Sequence, residues 1–392
     1  MKRPGLLTLI FVSIVAGSLI GLVSPEWLSR LMATFNGVFS QFLGFMIPLI
    51  IIGFVTPAIA EIGVRAGKLL VVTALLAYGA TLLAGLFSYA TASLTFPSLI
   101  SHLSVASMQS EHPETAPYFS VGIPPVMTVM TALVASFVLG LGTAFVKGET
   151  LREAFGEFRS IVEMTIRTAI IPLLPVYIFG IFLCMAAQGE VGTIVSCFAK
   201  IIGIIFAMHI LLLLFQYMIA GLFARKNPLK MLWNMMPAYF TALGTQSSAA
   251  TIPVTLKQTI SMGVREDIAG FVVPLCATIH LSGSTLKIVA CALALMIMHG
   301  YNHDMGLFFH FIAMLGITMI AAPGIPGGAI MASIGLLQGI LGFDEQQIAL
   351  MIALYIAMDS FGTACNVTGD GAIAAIVNRL FPERCVTCVN KS

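Results

Sequence analysis

Apolar runs of membrane length recur along this chain, at about 40–61, 68–95, 123–146, 162–187 and 192–224. Each can supply the ~20 residues that a helix needs to cross a bilayer. That feature removes most folds, because hydrocarbon offers the backbone no hydrogen-bond partners and only helices or closed barrels span it. The runs do not alternate between apolar and polar residues as barrel strands do, so they are read as helices. Composition agrees. Hydrophobic residues make up 58% of the 392 and charged residues 9%, against about 45–50% and about 25% in a soluble domain. The length has room for roughly eight to ten spans.

The run at 6–23, behind Met1, Lys2 and Arg3, is long for a signal peptide, and residues 21–26 make a poor cleavage site, so it is read as the first span. Basic residues then set the orientation. Arg65 and Lys68 follow the second span, Lys147, Arg152 and Arg159 the fourth, and Arg225, Lys226 and Lys230 the sixth. The segment 97–122 and the short loop around Glu190 carry no Lys or Arg. The positive-inside bias therefore predicts six ordinary spans with the N-terminus and the even-numbered loops in the cytoplasm. The net charge of +2 gives no support to a nucleic-acid partner. Seven scattered cysteines form no disulfide framework. The Cys385-x-x-Cys388 spacing in the tail stands without the second pair or the βαβ context that metal or redox chemistry needs.

After residue 228 the pattern changes. The apolar stretch 229–262 is interrupted by Thr245-Gln246-Ser247-Ser248-Ala-Ala-Thr251-Ile-Pro253-Val-Thr255, and the stretch 306–341 by Pro323-Gly324-Ile-Pro326-Gly327-Gly328. Each is followed by a long apolar helix, at about 266–298 and 346–380. Two units of interrupted segment plus helix resemble the internal repeats of secondary transporters. Irregular backbone at membrane depth is tolerated where it lines a cavity or is buried in protein. Two re-entrant hairpins, with tips at Ser247-Ser248 and 323–328, are the economical reading, and two loops joining short spans are the alternative.

In the last of these helices, Asp359, Thr363, Asn366 and Asp370 recur at i, i+4, i+7 and i+11. At about 100° per residue they share a sector of roughly 60°. Acids, an amide and a hydroxyl on one stripe point to a bundle interior or a watery cavity rather than to lipid. The plainer reading, a helix end where charges reach water, fits Asp370 alone better than the stripe, because the apolar pattern resumes over 371–377.

These motifs resemble the dicarboxylate/amino acid:cation symporters, a family that includes archaeal aspartate transporters, glutamate transporters and bacterial serine/threonine transporters. The resemblance is close over about 235–380 and only topological before that. It implies an all-α polytopic membrane protein with eight transmembrane helices plus two re-entrant hairpins, an elevator-type transporter fold assembled as a homotrimer. Residues 1–227 would hold six helices forming scaffold, trimer contact and part of the transport domain. Residues 228–380 would form the transport core, and 381–392 a cytoplasmic tail. Asp359 matches the family's acid for the substrate amino group. Asn366 and the hairpin serine Ser248 match the holders of the α-carboxylate, Ser247 stands with Ser248 among the substrate-binding residues, and Thr363 sits beside the substrate side chain. Pro326 and Gly327 lie in the second hairpin, the lid. Asp370 and the carbonyls of the Asn366 turn match a sodium site. The chemistry is consistent, since an ammonium takes a carboxylate, a carboxylate takes amide and hydroxyl donors, and a hard cation takes clustered oxygens.

Two departures shape the functional expectation. Acidic-substrate members carry an Arg three residues after the amino-binding acid and another acid four residues before it. Here those positions are Gly362 and Tyr355. Without the bidentate partner, a substrate side-chain carboxylate is an uncompensated buried charge. The expectation is therefore a neutral L-amino acid, with Gly362 opening room for a large side chain, and with serine, threonine and alanine also open. The penultimate helix reads His280-Leu281-Ser282-Gly283-Ser284 where relatives have Asn-Met-Asp-Gly-Thr. Ser282 replaces a sodium-binding carboxylate, and Lys287 adds positive charge. Fewer coupled sodium ions are expected. His280 is open to two readings, a proton carrier or a packing residue. Lys287 is either a counter-ion for Asp359 or snorkels to an interface.

The function expected is sodium-coupled symport in the plasma membrane, both termini cytoplasmic, with the second hairpin as gate. The alternatives are proton-coupled or exchange transport of an acidic amino acid or dicarboxylate, and a channel-like anion conductance. Enzyme chemistry finds little footing. An intramembrane aspartyl protease needs facing aspartates on separate helices, and here both lie on one. A Walker-type phosphate loop is missing from the sequence.

Overall fold

The computed structural model describes residues 6–64, 67–100, 116–146, 149–187, 191–322 and 326–381. The basic residues Lys2, Arg3, Arg65 and Lys147, and also Glu190, residues 323–325, the tail and the Cys385-Cys388 pair, lie outside them.

Among the described residues the chain is helical and carries no strand. Helices stand at the positions of all six early spans: α1 (Leu6–Gly21), α2 (Glu26–Val64), α3 (Lys68–Ile100), α4 (Val129–Phe145), α5 and α6 (Thr150–Thr165 and Ile171–Ala187), and α7 (Val191–Ala224). α5 runs into α6 through one π-helical turn at Ile166–Ile170. By length and apolarity alone, five described helical stretches can cross a membrane, or six if one bent pair counts as a span. α1 and α4 are shorter apolar helices.

The early helices hold together by close approach. A Cβ on Gly17 would stand 2.6 Å from the Phe179 carbonyl oxygen, and one on Gly140 would stand 2.7 Å from Ile59 Cβ. Small residues let α1 meet α6 and α4 meet α2, the way helices associate where lipid removes the hydrophobic drive. Their outer faces stay apolar and exposed, with Phe11, Leu19, Val134, Val138, Ile210, Phe215 and Leu222 all on the surface.

The second half contains two matching units. The short α8 (Pro228–Asn234) leads into α9 (Met236–Thr245), which turns at Gln246 in the left-handed conformation (φ 55°) into α10 (Ser248–Ser261). Ser247 caps α10 by accepting the Ala250 N–H. Next come α11 (Glu266–Ile279) and α12 (Ser282–Met298). The second unit repeats the order with α13 (Met305–Ile320), α14 (Gly328–Gly339), α15 (Glu345–Ala357) and α16 (Asp359–Leu380). The first interruption is a helix–turn–helix at 236–261, and α13 and α14 stand on either side of the second interruption, whose residues 323–325 lie outside those described.

The two long helices expected after the hairpins are not continuous. His280 and Leu281 adopt non-helical backbone between α11 and α12, and α15 and α16 meet at 61° around Met358. The pattern of apolar residues runs through both breaks, so hydropathy does not register them.

The helix starts differ by location. α13 is capped by Asp304, whose carboxylate accepts the Leu307 N–H and is thereby held below the usual Asp range. α15 carries a full capping box between Asp344 and Gln347. The three helices that begin inside the bundle, α12, α14 and α16, have no side-chain cap. Their first N–H groups need other partners, and the functional residues supply some of them.

Candidate functional site

All four stripe residues face inward. Asp359 is 4% exposed, Thr363 7%, Asn366 2% and Asp370 1%. What surrounds each one comes from a different element.

Asp359 opens α16. Its Oδ2 accepts the N–H of Gly327, at 2.9 Å, so the tip of the second hairpin rests on this carboxylate. Gly327 has φ 74°, a left-handed conformation that glycine adopts without penalty. Pro326, beside it, is half-buried. The other carboxylate oxygen of Asp359, Oδ1, accepts from Lys287 Nζ at 2.8 Å. The first hairpin reaches the same helix start, where Gln246 Nε2 donates to Ser360 Oγ at 3.0 Å. Ser248, next to that turn, is buried, and Ser247 is half-buried.

Lys287 does not snorkel. It is fully buried, its Nζ stands 3.4 Å from the centre of the Tyr355 ring, and it reaches across to Asp359. The ammonium is thus held by a carboxylate and an aromatic face together. This revises the reading of Gly362. A Cβ there would stand 2.8 Å from Lys287 Nζ, 2.9 Å from Cε and 3.2 Å from Cδ. The room that glycine leaves is taken by the lysine tail and is not free for a large substrate side chain.

Asn366 joins α16 to the start of α12. Its Oδ1 accepts the N–H groups of Gly283 (2.7 Å) and Ser284 (3.3 Å), and its Nδ2 donates to Ser284 Oγ at 3.1 Å. The Tyr355 hydroxyl lies 3.1 Å from the same Ser284 Oγ. Gly283 permits this closeness, because a Cβ would stand 2.7 Å from both Cys365 Cβ and the Gly362 carbonyl oxygen. Asn366 therefore serves as the partner that the uncapped α12 lacks, and its amide is engaged by the protein itself.

Lower on α16, Asp370 Oδ1 lies 2.9 Å from His280 Nδ1, both fully buried. His280 sits in the break between α11 and α12, which frees its ring to point at α16. Ser282 accepts from Gln216 Nε2 at 3.0 Å. His280 Nε2 and Gln216 Oε1 are buried without a hydrogen-bond partner. Both converge on Gly369, where a Cβ would stand 2.6 Å from His280 Cε1 and 2.7 Å from Gln216 Oε1. Gln216 thus joins Ser282 to the neighbourhood of the His280 ring, and that ring leads on to Asp370; carboxylate, amide and hydroxyl oxygens are the donors a hard cation takes. Among the described residues no group of three or more His, Cys, Asp or Glu forms a metal cluster.

Sequence reasoning missed the contribution of α7. His209 Nε2 pairs with the Gly283 carbonyl oxygen at 3.0 Å, Gln216 holds Ser282, and the Tyr217 hydroxyl donates to the Thr368 carbonyl oxygen at 2.7 Å. The signal was present, since His209, Gln216 and Tyr217 recur at i, i+7 and i+8 on one face of an otherwise apolar span.

Known proteins resemble this chain along most of its length. The chain is 26% identical over 393 residues to the serine/threonine transporter SstT of Acinetobacter baumannii (strain AYE), covering 96% of this chain and 97% of that one. It is 28% identical over 266 residues to excitatory amino acid transporter 1 of Rattus norvegicus, covering 66% of this chain and 48% of that one. The human protein of the same name matches over the same extent. The model of the sodium:dicarboxylate symporter family matches residues 6–380, nearly the whole length, and the chain belongs to that family.

Proposed function

We propose that this protein is a sodium-coupled symporter for a small neutral L-amino acid. One observation carries the substrate class: the Lys287–Asp359 pair, with the lysine tail filling the notch at Gly362. The pair makes the pocket net neutral. A neutral zwitterion adds no charge to it, whereas an acidic substrate adds a carboxylate whose buried charge has to be matched. The filled notch favours serine, threonine or alanine over a bulky residue, and the name of the serine/threonine relative points the same way.

The working arrangement follows from the family. The hairpins α9–α10 and α13–α14 with α11, α12, α15 and α16 form the transport core, over eight spans and two re-entrant segments, and move against the early helices in a homotrimer. The second hairpin is the gate, since the N–H of Gly327 already engages the carboxylate that receives the substrate ammonium. Asp370, with Ser282, Gln216 and the Asn366 turn, is the ion site. His280 occupies one side of it, in keeping with fewer sodium ions than in acidic amino acid relatives. The plasma membrane, with both termini cytoplasmic, is the setting that the positive-inside bias supports.

A second reading has one observation in its favour. Lys287 delivers a cation to the notch at Gly362, where the Arg of acidic-substrate relatives would begin, so an acidic amino acid has a candidate partner. One experiment decides. The melting temperature of the purified protein is measured against all twenty amino acids, with and without sodium, since a ligand that binds the folded state raises it by mass action. A sodium-dependent rise with small neutral amino acids supports the proposal. A rise with aspartate or glutamate alone refutes the neutral substrate. A sodium-independent, pH-dependent rise moves the coupling ion to protons.

A further inference from the structure

Both oxygens of Asp359 are engaged by the chain itself, Oδ1 by Lys287 Nζ and Oδ2 by the Gly327 N–H. A substrate ammonium aimed at Asp359 therefore meets a resident competitor. The competitor is well held. Lys287 is fully buried, lies over the Tyr355 ring, has its Nζ 3.5 Å from the Tyr355 carbonyl oxygen, and lays its tail against Gly362. Chemically, Nζ is the same group that a substrate would bring, an ammonium on a flexible stem.

We infer that Lys287 is a tethered stand-in for the substrate's ammonium. It neutralises Asp359 between substrates, gives way when one binds, and so allows the substrate-free core to recross the membrane. The inference rests on the symporter reading above and adds the direction of traffic to it. A carrier that accumulates its substrate has to return without it. A lone carboxylate carried through a low-dielectric barrier is costly, and a carrier with that charge unbalanced returns only when loaded, which is exchange. With Lys287 on Asp359 the returning core is neutral at this point. The same carboxylate also gives the gate a partner, because Gly327 engages the oxygen that Lys287 leaves free.

The stand-in has a consequence of opposite sign for binding and for transport. Competition for Asp359 lowers apparent affinity, as any equilibrium does that hides the competent state. Lys287→Met removes the competitor and also the compensation. The variant is expected to bind the amino acid more tightly than wild type while filling vesicles more slowly. A merely structural role would weaken both.

The test uses the full chain in proteoliposomes with an inward sodium gradient, and as probe the neutral amino acid that most raises the wild-type melting temperature. Uptake into vesicles free of amino acid is compared with exchange into preloaded vesicles. For Lys287→Met the ratio of net uptake to exchange is expected to fall at least tenfold, about 1.4 kcal/mol on the return step, with a lower apparent Kd. Lys287→Arg, which keeps the charge, is expected to retain the wild-type ratio. An unchanged ratio in Lys287→Met, or a weaker affinity, overturns the inference. If that variant unfolds, melting temperature alone decides: Lys287→Met/Asp359→Asn restores stability if the two charges answer each other, and no restoration overturns the pairing. A wild-type protein that carries no amino acid refutes the symporter reading and takes the stand-in with it. A wild type that concentrates its substrate, beside a variant that matches it, refutes the stand-in alone.

Discussion

Gly362→Arg is the substitution that most directly distinguishes this pocket from that of the acidic-substrate relatives. If the notch were open, the change would simply install their guanidinium. The structure says otherwise, because even a Cβ meets Lys287 Nζ, Cε and Cδ at 2.8, 2.9 and 3.2 Å. Overpacking of that kind costs about 1–3 kcal/mol. A second cation some 4 Å from the first adds about 4 kcal/mol at an effective dielectric constant near 20, and one Asp359 neutralises only one of them. The total, around 5 kcal/mol or more, rivals the whole stability of many proteins, which is about 5–15 kcal/mol. The prediction is that Gly362→Arg is severely destabilised and gains no acidic-substrate binding. Adding Lys287→Ala in the same chain removes both the clash and the extra charge. The double variant should be more stable than the sum of the single effects by at least about 2 kcal/mol, near the upper end of couplings between contacting residues. Unfolding of the four proteins in detergent measures that coupling, and melting temperature with and without aspartate reads the specificity. Effects that add within about 0.5 kcal/mol would show that residue 362 and Lys287 do not share the notch.

Asp359→Asn leaves Lys287 an uncompensated buried cation, so a loss of about 3–5 kcal/mol is expected, together with loss of amino-acid-induced stabilisation; unaltered affinity removes Asp359 from the ammonium site. Asp370→Asn should flatten the sodium dependence of that stabilisation, and an unchanged sodium response removes Asp370 from the ion site. His280→Ala withdraws the imidazole from Asp370 at a cost of about 1–3 kcal/mol without sodium, and sodium should recover much of it as the cation takes the vacated side; equal loss at all sodium concentrations contradicts that exchange. Gly283→Leu would force α12 away from Cys365 and the Gly362 carbonyl oxygen, separating both base–acid pairs, so it should cost about 3 kcal/mol at the far end of overpacking and abolish binding. A stable, binding-competent variant refutes the close approach.

Much of this site was legible in the sequence, and the reasons for what was not are physical. The stripe of Asp359, Thr363, Asn366 and Asp370 was readable because helical periodicity is a local property, and its burial confirms the face. The interruptions at 246–247 and after α13 were readable because polar and Gly/Pro residues break runs that are otherwise apolar. The break at His280-Leu281 was not, because those two residues sit in an apolar stretch and the cause is tertiary: His280 pairs with Asp370, ninety positions away. The filling of the Gly362 notch was also hidden, since a glycine reports missing volume on its own helix and is silent about which neighbour takes it. α7 was read as an ordinary span although its polar face holds Ser282, Gly283 and Thr368. A small number of polar residues in an apolar helix of this length reads as tolerance until their partners are seen.

The two acids of α16 are each answered by a base from the α11–α12 segment, Asp359 by Lys287 and Asp370 by His280. An unbroken helix could not match both. Eleven residues separate the acids, about 16 Å along a helix, while seven separate the bases, about 10 Å if all were helical. Backbone near extended, as at His280, rises about 3.3 Å per residue, so one such step and six helical ones bring the bases about 12 Å apart. The break thus lengthens α11–α12 towards the spacing that α16 sets. Gly283, immediately after it, lets the two segments approach closely enough for the side chains to meet. Ionisable groups buried at membrane depth need partners, and here a helix break and one glycine bring a basic side chain to each acid at once. A one-residue deletion at Leu281 would shorten the bases' spacing by about 1.5 Å or more. It should cost one pair whichever way the segment re-registers, leaving either sodium dependence or amino acid binding impaired before the other.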